Sequence, residues 1–410
     1  MDFRRRKLEL ALPILLGGML LAVLWHGTAA LLRRGYPWNT FLFVPSASYT
    51  DFTDFLKPTV PAGNYFPSAY PVFYIFSSLP PLDAALLFQI IFIIGLFFLL
   101  RIALRPLDLP RHLRYLAYVT LLGSYPVLFC LDRGNIEILL SFCIGASLLL
   151  YAREKFGLSL LALLPAICFK FYPCLLLLLF FRRRLILLAV IGGGAFFLVN
   201  WAALQVFHPI HPVRESYVPG FGFAYFLVHY ILGPAGVSTS ADAWNLFRLG
   251  VLLVHGCLHQ SFSWPMPAPT VIRSLAAYCV VAIWGLALAV LYVLRMEKSL
   301  ERRAIMLLLY MTISIPCGGD YKLLHVLMSL VLIILITERR PGDIGITALL
   351  ALALIPKREI LLGFLGNGSS GAPDASIAII LNPLCILTAM GLLFWNARRV
   401  RQPTITEPAP

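Results

Sequence analysis

Repeated long apolar runs constrain this chain more than any other feature. One follows Arg4, Arg5, Arg6 and Lys7 and continues to about Leu32; others cover roughly 84–104, 115–131, 135–151, 185–204, 271–294, 303–316, 322–337, 344–362 and 377–395. A hydrocarbon core about 30 Å thick takes roughly 20 apolar residues per helical crossing. No single water-soluble core could absorb so many runs. The mean hydropathy of +0.85 and the 13% of charged residues agree, against about a quarter charged in soluble domains. Soluble enzymes, secreted disulfide scaffolds and disordered chains are excluded. The pattern predicts an all-α polytopic membrane protein.

Charge clusters orient it. The segment 157–181 is interrupted by Pro165 and by Lys170-Phe171-Tyr172-Pro173. As one full crossing it would invert every later cluster. As a broken, re-entrant hairpin it leaves seven clusters with 22 of the 33 Lys and Arg on one side, at 4–7, 101–114, 153–155, 182–184, 295–303, 339–340 and 398–401. Short loops rich in Lys and Arg face the cytoplasm. The expectation is therefore ten full crossings plus one hairpin, with both termini inside, in one domain over 1–401. Two long extracytoplasmic loops cover about 33–83 and 205–270, the second with interfacial helices, and 402–410 reads as a disordered cytoplasmic tail. Broken helices are tolerated only where backbone lines a cavity or lies buried in protein, so the hairpin is itself a candidate site. The setting expected is a bacterial cytoplasmic (inner) membrane, with chemistry on the extracytoplasmic side.

The net charge of +14 does not point to nucleic acid, because the basic residues cluster beside apolar runs with no aromatic-basic groove motif. The eight cysteines form no CxxC pair and read as small apolar side chains. His208 and His211 are a poor zinc signal without a third ligand, and no Gly-rich phosphate loop or Walker motif is present. No metal and no cofactor are expected.

Ionisable groups in or beside membrane spans are functional candidates. Asp51 and Asp54, three residues apart in the first loop, share a face if helical. A carboxylate there can serve as general base to a hydroxyl, or be a solvated loop acid. Tyr65 and Tyr70, in Asn64-Tyr65-Phe66 and Ser68-Ala69-Tyr70-Pro71, line a cavity or anchor the interface. Asp132-Arg133-Gly134-Asn135-Ile136-Glu137 forms a polar outer turn in which Glu137 opens a helix, where a negative charge suits the dipole. Lys170, with Tyr172 beside it, needs a partner in its apolar setting: a phosphate is one natural anion, an internal Asp or Glu the other. Finally, Cys317-Gly318-Gly319-Asp320-Tyr321-Lys322 with His325 forms an outer junction of two spans. All map to the outer half of the membrane, where a lipid-phosphate-linked donor fits better than a cytosolic nucleotide-sugar.

In order and spacing these motifs resemble a GT-C type membrane glycosyltransferase, most of all glycosyltransferase family 87, the polyprenol-phosphate-mannose-dependent mannosyltransferases. Asp51 after the first span is similar to that family's first-loop acid. Asn64-Tyr65 with Tyr70-Pro71 resembles its tyrosine/proline tract, Gly134-Asn135-Ile136-Glu137 its Gly-Gln-x-Asn turn with Asn and Glu replacing Gln and Asn, and Lys170 with Pro173 its Lys-x-x-Pro stretch. The resemblance implies the GT-C fold and inverting transfer of a sugar, mannose by analogy, from a polyprenyl-phosphate donor to a glycolipid or other extracytoplasmic acceptor. It implies Asp51 as base with Asp54 in support. Lys170, Tyr172, Arg133 and Lys322 would hold the donor phosphate. Tyr65, Tyr70, Asn135, Glu137, Asp320 and His325 would line the acceptor cavity. A transporter or flippase for a lipid-linked or anionic solute is the alternative, since broken helices and a buried lysine suit it too.

Overall fold

The computed structural model describes residues 3–32, 66–133, 135–182, 185–207, 246–247, 251, 268–314, 320–357, 361–362 and 375–401. Asp51, Asp54, Tyr65, His208, His211 and the 402–410 tail lie outside the described residues, as do most of both long loops. The helices in chain order are α1 (Phe3–Leu31), α2 (Tyr70–Ser77), α3 (Pro81–Leu104), α4 (Arg111–Leu122), α5 (Tyr125–Arg133), α6 (Glu137–Ala152), α7 (Phe156–Phe169), α8 (Leu178–Arg182), α9 (Ile186–Phe207), α10 (Ala268–Leu291), α11 (Leu300–Ser314), α12 (Leu323–Leu335), α13 (Asp343–Ala353) and α14 (Ala378–Arg401). Among the described residues the strand pairing is confined to a two-residue antiparallel ladder, Leu361–Leu362 with Ala375–Ser376. The chain is an all-α polytopic membrane protein.

Five described segments are long and apolar enough to cross a bilayer: Phe3–Trp25, Leu86–Leu104, Ile186–Ala203, Arg273–Met296 and Ala378–Arg399. Arg111–Leu122 with Tyr125–Leu131 makes a sixth if that pair, bent by 51°, is one span. The bend has a local cause. Pro126 lacks an N–H and disfavours a helical residue before it. Ser124 Oγ also takes the Leu121 carbonyl at 2.7 Å, as serine side chains do where they compete with the helix ladder.

Ten full crossings were expected; among the described residues five helices, or six with the bent pair, meet the length and apolarity of a crossing by themselves. Helices α6, α11, α12 and α13 have 16, 15, 13 and 11 residues. At about 1.5 Å per residue none alone spans 30 Å. Every residue of α11 from Arg302 to Ile313 is buried, as is most of α12. Apolarity in these segments serves helix–helix packing as well as contact with lipid, and a helix enclosed by others can be shorter than the bilayer is thick. Hydropathy alone cannot separate the two.

The segment after α6 makes a hairpin against it. The Tyr151 ring meets Phe156 at 5.1 Å and Phe180 at 5.2 Å between centroids, and its hydroxyl donates to the Leu179 carbonyl at 2.7 Å. Both ends of the hairpin thus lie at the C-terminal end of α6. Its apex, Lys170, lies at Glu137, the N-terminal end, about 21 Å away along the helix. The ascending limb is α7, fastened to α6 where Ser159 Oγ donates to the Ser147 carbonyl at 2.9 Å. The descending limb is a 3-10 turn, Tyr172–Leu177, followed by α8.

The break at the apex follows from Pro173. In a continuous helix the Phe169 carbonyl would accept from residue 173, which has no N–H. Lys170 instead adopts an extended conformation (φ −144°, ψ 142°). The freed carbonyls find other donors. Phe66 N–H donates to Phe169 at 3.3 Å, and Ser68 Oγ and Asn200 Nδ2 donate to Cys168 at 2.6 and 3.1 Å. Helix α9 closes over both limbs at Gly192, where a Cβ would come within 3.0 Å of Leu160 and of Leu177.

The opposite end of the bundle is tied by a second polar cluster. Arg302, fully buried, forms a two-pronged pair with Asp343 at 2.7 and 2.9 Å. Arg340 binds Glu297 at 2.5 and 3.0 Å and Glu338 at 2.9 Å. Lys7, part of a basic cluster expected in cytoplasmic solvent, is fully buried instead. Its ammonium donates to the carbonyls of Ile333 and, at 2.9 Å, Ile336 at the C-terminus of α12, where the helix dipole favours a cation.

Candidate active site

Glu137 is the centre of the site. It opens α6, and its backbone N–H donates to Asn135 Oδ1 at 2.9 Å, so the side chain of the preceding turn secures the helix start. Its carboxylate is fully buried and occupied on both oxygens. Lys170 Nζ lies 2.6 Å from Oε1, and the Tyr172 hydroxyl donates to Oε2. The hairpin apex therefore brings two sequence candidates onto a third. Of the two partners that Lys170 could have, the described residues supply the internal carboxylate.

Helix α12 brings the last group. His325 Nε2 is 3.9 Å from Glu137 Oε2, and the His325 and Tyr172 rings meet edge to face at 5.6 Å. His325 is fully buried, and among the described residues neither ring nitrogen has a hydrogen-bond partner. In the 3-10 turn before it, Lys322 Nζ stands 5.8 Å from the Tyr172 ring centre and Tyr321 lies under the Lys170 ammonium at 5.4 Å. Asp320, 1% exposed, accepts from the Tyr125 hydroxyl. Cys130 Sγ, on α5, faces the Tyr321 carbonyl at 3.7 Å.

Asn135, Glu137, Lys170, Tyr172, Asp320, Lys322 and His325 thus come together from three separate stretches of chain. Tyr70, buried at 1% exposure, begins α2 one turn beyond the Phe66 and Ser68 contacts that bind this segment to the apex. Arg133 ends α5, but its side chain is outside the described residues, and so are Asp51, Asp54 and Tyr65. Among the described residues no three His, Cys, Asp or Glu side chains converge on one point.

Sequence reasoning passed over Tyr125 and Asn200, read Cys130 as a small apolar side chain, and quoted Tyr321 in the outer junction without giving it a role. Asn200 carried a signal, since it interrupts the apolar run of α9 and a lone amide there needs a partner; it holds the Cys168 carbonyl and accepts from the Ser68 N–H at 3.1 Å. Tyr125 and Tyr321 carried none, because tyrosine is also common at membrane interfaces.

Below the cluster lies an apolar cavity of about 370 Å³. It begins at Ser141, one turn from Glu137, and follows α6 past Gly145 and Leu148 to Arg153, with Leu324, Leu327 and Val331 of α12 on its far wall. That path is about 18 Å long. Its lining is almost wholly hydrocarbon; Ser141, one turn along α6 from Glu137, and Leu324, the chain neighbour of His325, are its members nearest in sequence to the polar cluster. A hydrocarbon-lined space of this size can hold an alkyl or prenyl chain.

No curated protein and no solved structure matches the chain. Residues 64–317 match the model of glycosyltransferase family 87, and that segment contains Tyr70, Glu137, Lys170 and Tyr172. The match covers more than half of the chain and includes the hairpin and the α6 turn on which the site is built, so this membrane protein belongs to glycosyltransferase family 87.

Proposed function

We propose that this glycosyltransferase moves a sugar, mannose by analogy with the family, from a polyprenyl-phosphate donor to a glycolipid or other acceptor on the extracytoplasmic side of a bacterial cytoplasmic membrane, with inversion. The observation that carries the reading is the buried gathering of Lys170, Lys322 and His325 around Glu137 and Tyr172, in a bundle that also holds a hydrocarbon-lined cavity starting one turn along α6 from Glu137. A lipid-linked phosphate has that division of chemistry: an anion to be neutralised and an isoprenoid chain to be enclosed. The donor phosphate binds Lys170, with Tyr172, Lys322 and Arg133 around it.

Asp51 serves as the base. It takes the proton of the acceptor hydroxyl as that oxygen attacks the anomeric carbon; the sugar–phosphate bond breaks on the opposite face, and the electron pair leaves with the prenyl phosphate. Asp54 supports it, and Tyr65, Tyr70, Asn135, Glu137, Asp320 and His325 line the acceptor site or the cavity around it. The position of the site supports the extracytoplasmic assignment. It lies at the α12 N-terminus, whereas Lys7 of the first basic cluster binds the C-terminus of that helix.

The test is reconstitution. Purified protein in liposomes, given polyprenyl-phosphomannose and candidate glycolipid acceptors, should form an α-linked mannosyl product without nucleotide or added metal. Absence of product with this donor, alongside turnover of a nucleotide-sugar, would overturn the reading.

A further inference from the structure

The described site holds an anion already. Glu137 is fully enclosed, and its partner Lys170 is also the proposed ligand of the donor phosphate. Both anions cannot share one buried ammonium at little cost, because like charges in a water-poor setting repel strongly. Something must offset the second negative charge. Among the described residues His325 is the neighbour able to acquire a positive one: Nε2 stands 3.9 Å from Glu137 Oε2, and both ring nitrogens are enclosed with no hydrogen-bond partner there. With no hydrogen bond from the described residues fixing either nitrogen, the imidazole is placed to take a proton toward that carboxylate.

We propose that Glu137 is a resting counter-ion, which yields Lys170 to the donor phosphate and then pairs with His325 as the imidazole takes up one proton from solvent. No heavy-atom bond changes in this step. The ammonium exchanges a carboxylate oxygen for a phosphate oxygen, and the proton comes to a ring nitrogen from bulk water. The Tyr172 hydroxyl, bonded to the same carboxylate and packed edge-on against the imidazole, keeps the two in reach during the exchange. Glu137 and His325 act here as positioning residues for the donor, and the inference rests on the lipid-phosphate reading above.

Other charges and titratable groups face this pair. Cys130 and Tyr125 come from α5, with the tyrosine engaged by Asp320. Asp320 and Lys322 come from the turn before α12. Lys357, past α13, lies within electrostatic reach of Asp320 and donates to the carbonyls of Leu352 and Ile355, each at 2.7 Å. Lys322 is the rival compensator, as a fixed cation beside Tyr172. If it supplied the balance, no proton would be taken up.

Calorimetric titration of the full-length protein in detergent decides between them. The probe is farnesyl-phosphomannose, a phosphodiester whose single charge is constant near neutral pH. Titrations in two buffers of different ionisation enthalpy count the protons bound. The expected result is uptake of about one proton per probe, with Kd weakening up to about tenfold per pH unit on the alkaline side of neutrality. His325→Gln should still bind, with Kd independent of pH and no uptake. Glu137→Gln should also bind without uptake, since the amide leaves one anion fewer to offset. Binding to the unaltered protein with heats that do not depend on buffer would overturn the proposal alone. Uptake that persists in His325→Gln would do the same. No binding of the diester would remove the donor reading and this inference with it.

Discussion

Lys170 Nζ and Glu137 Oε1 stand 2.6 Å apart although 33 residues separate them in the chain, and the Glu137 side chain is wholly enclosed. Removing one member of a buried pair strands the other, at a cost of about 3–5 kcal/mol. Lys170→Met should therefore lower folded yield in detergent, and Lys170→Met with Glu137→Gln should recover it. In the double variant the donor KM should rise about 10- to 150-fold, the loss of a charge-assisted hydrogen bond of about 1.5–3 kcal/mol. Size-exclusion profiles and donor kinetics read the two effects separately. An unchanged donor KM in a folded double variant would refute the phosphate role.

Asp51→Asn preserves shape and removes basicity. It should reduce kcat by about 10²–10⁴-fold while donor binding persists, as expected for a lost general base. Asp54→Asn should cost less. Near-normal turnover by Asp51→Asn, with loss of turnover in His325→Ala, would move the base to the histidine.

At the other end of the bundle, Arg302 and Asp343 are both fully buried and joined by two hydrogen bonds. Arg302→Met alone leaves Asp343 buried and uncompensated, so it should destabilise by about 3–5 kcal/mol. Pairing it with Asp343→Leu should restore much of that loss. Melting temperatures in detergent would show this, and equal loss in the single and double variants would contradict it.

Glu297, just beyond the last turn of the 273–296 span, should give a pH signature. Burial alone would push its carboxyl up, but the hydrogen bonds from Arg340 and from the backbone of Ser299 and Lys298 outweigh that and hold it below the usual range. A depressed folded-state value means that the stabilisation is complete above the ordinary carboxylate pKa of about 4.3 and is lost as pH falls through the lower folded one. The melting temperature should drop in that acid window, and less steeply in Glu297→Gln. Parallel acid profiles for the two proteins would show that Glu297 contributes nothing to it.

Accessibility probes introduced at residues 182 and 402 should label from the cytoplasm, and one at residue 215 from the opposite side. Labelling of 182 and 402 from outside, with the N-terminus inside, would require the 157–181 segment to cross fully.

The membrane class and helical make-up were legible in the apolar runs, because a bilayer imposes one period and one length on whatever crosses it. The break at Lys170 was legible too, since Pro173 removes a donor that a continuous helix needs. The length of the helices was not. Runs that became α11, α12 and α13 formed helices shorter than the bilayer core is thick, and the bundle encloses most of α11 and α12. Several groups of the candidate site could be named from their cost in an apolar setting, but each could equally have been a solvated turn or a separate ion pair.

What the amino-acid sequence determined by itself was local: which segments are helical and apolar, where proline and glycine interrupt them, and which polar side chains require a partner. What only the tertiary structure decided was who those partners are. Glu137 could not be assigned to Lys170, Tyr172 and His325 from spacing, because the contact depends on a hairpin turning back along α6 and on α12 arriving from nearly two hundred residues away. Periodicity reports the face that a residue occupies on its own helix; the neighbour on the next helix is set by packing, which no local pattern encodes.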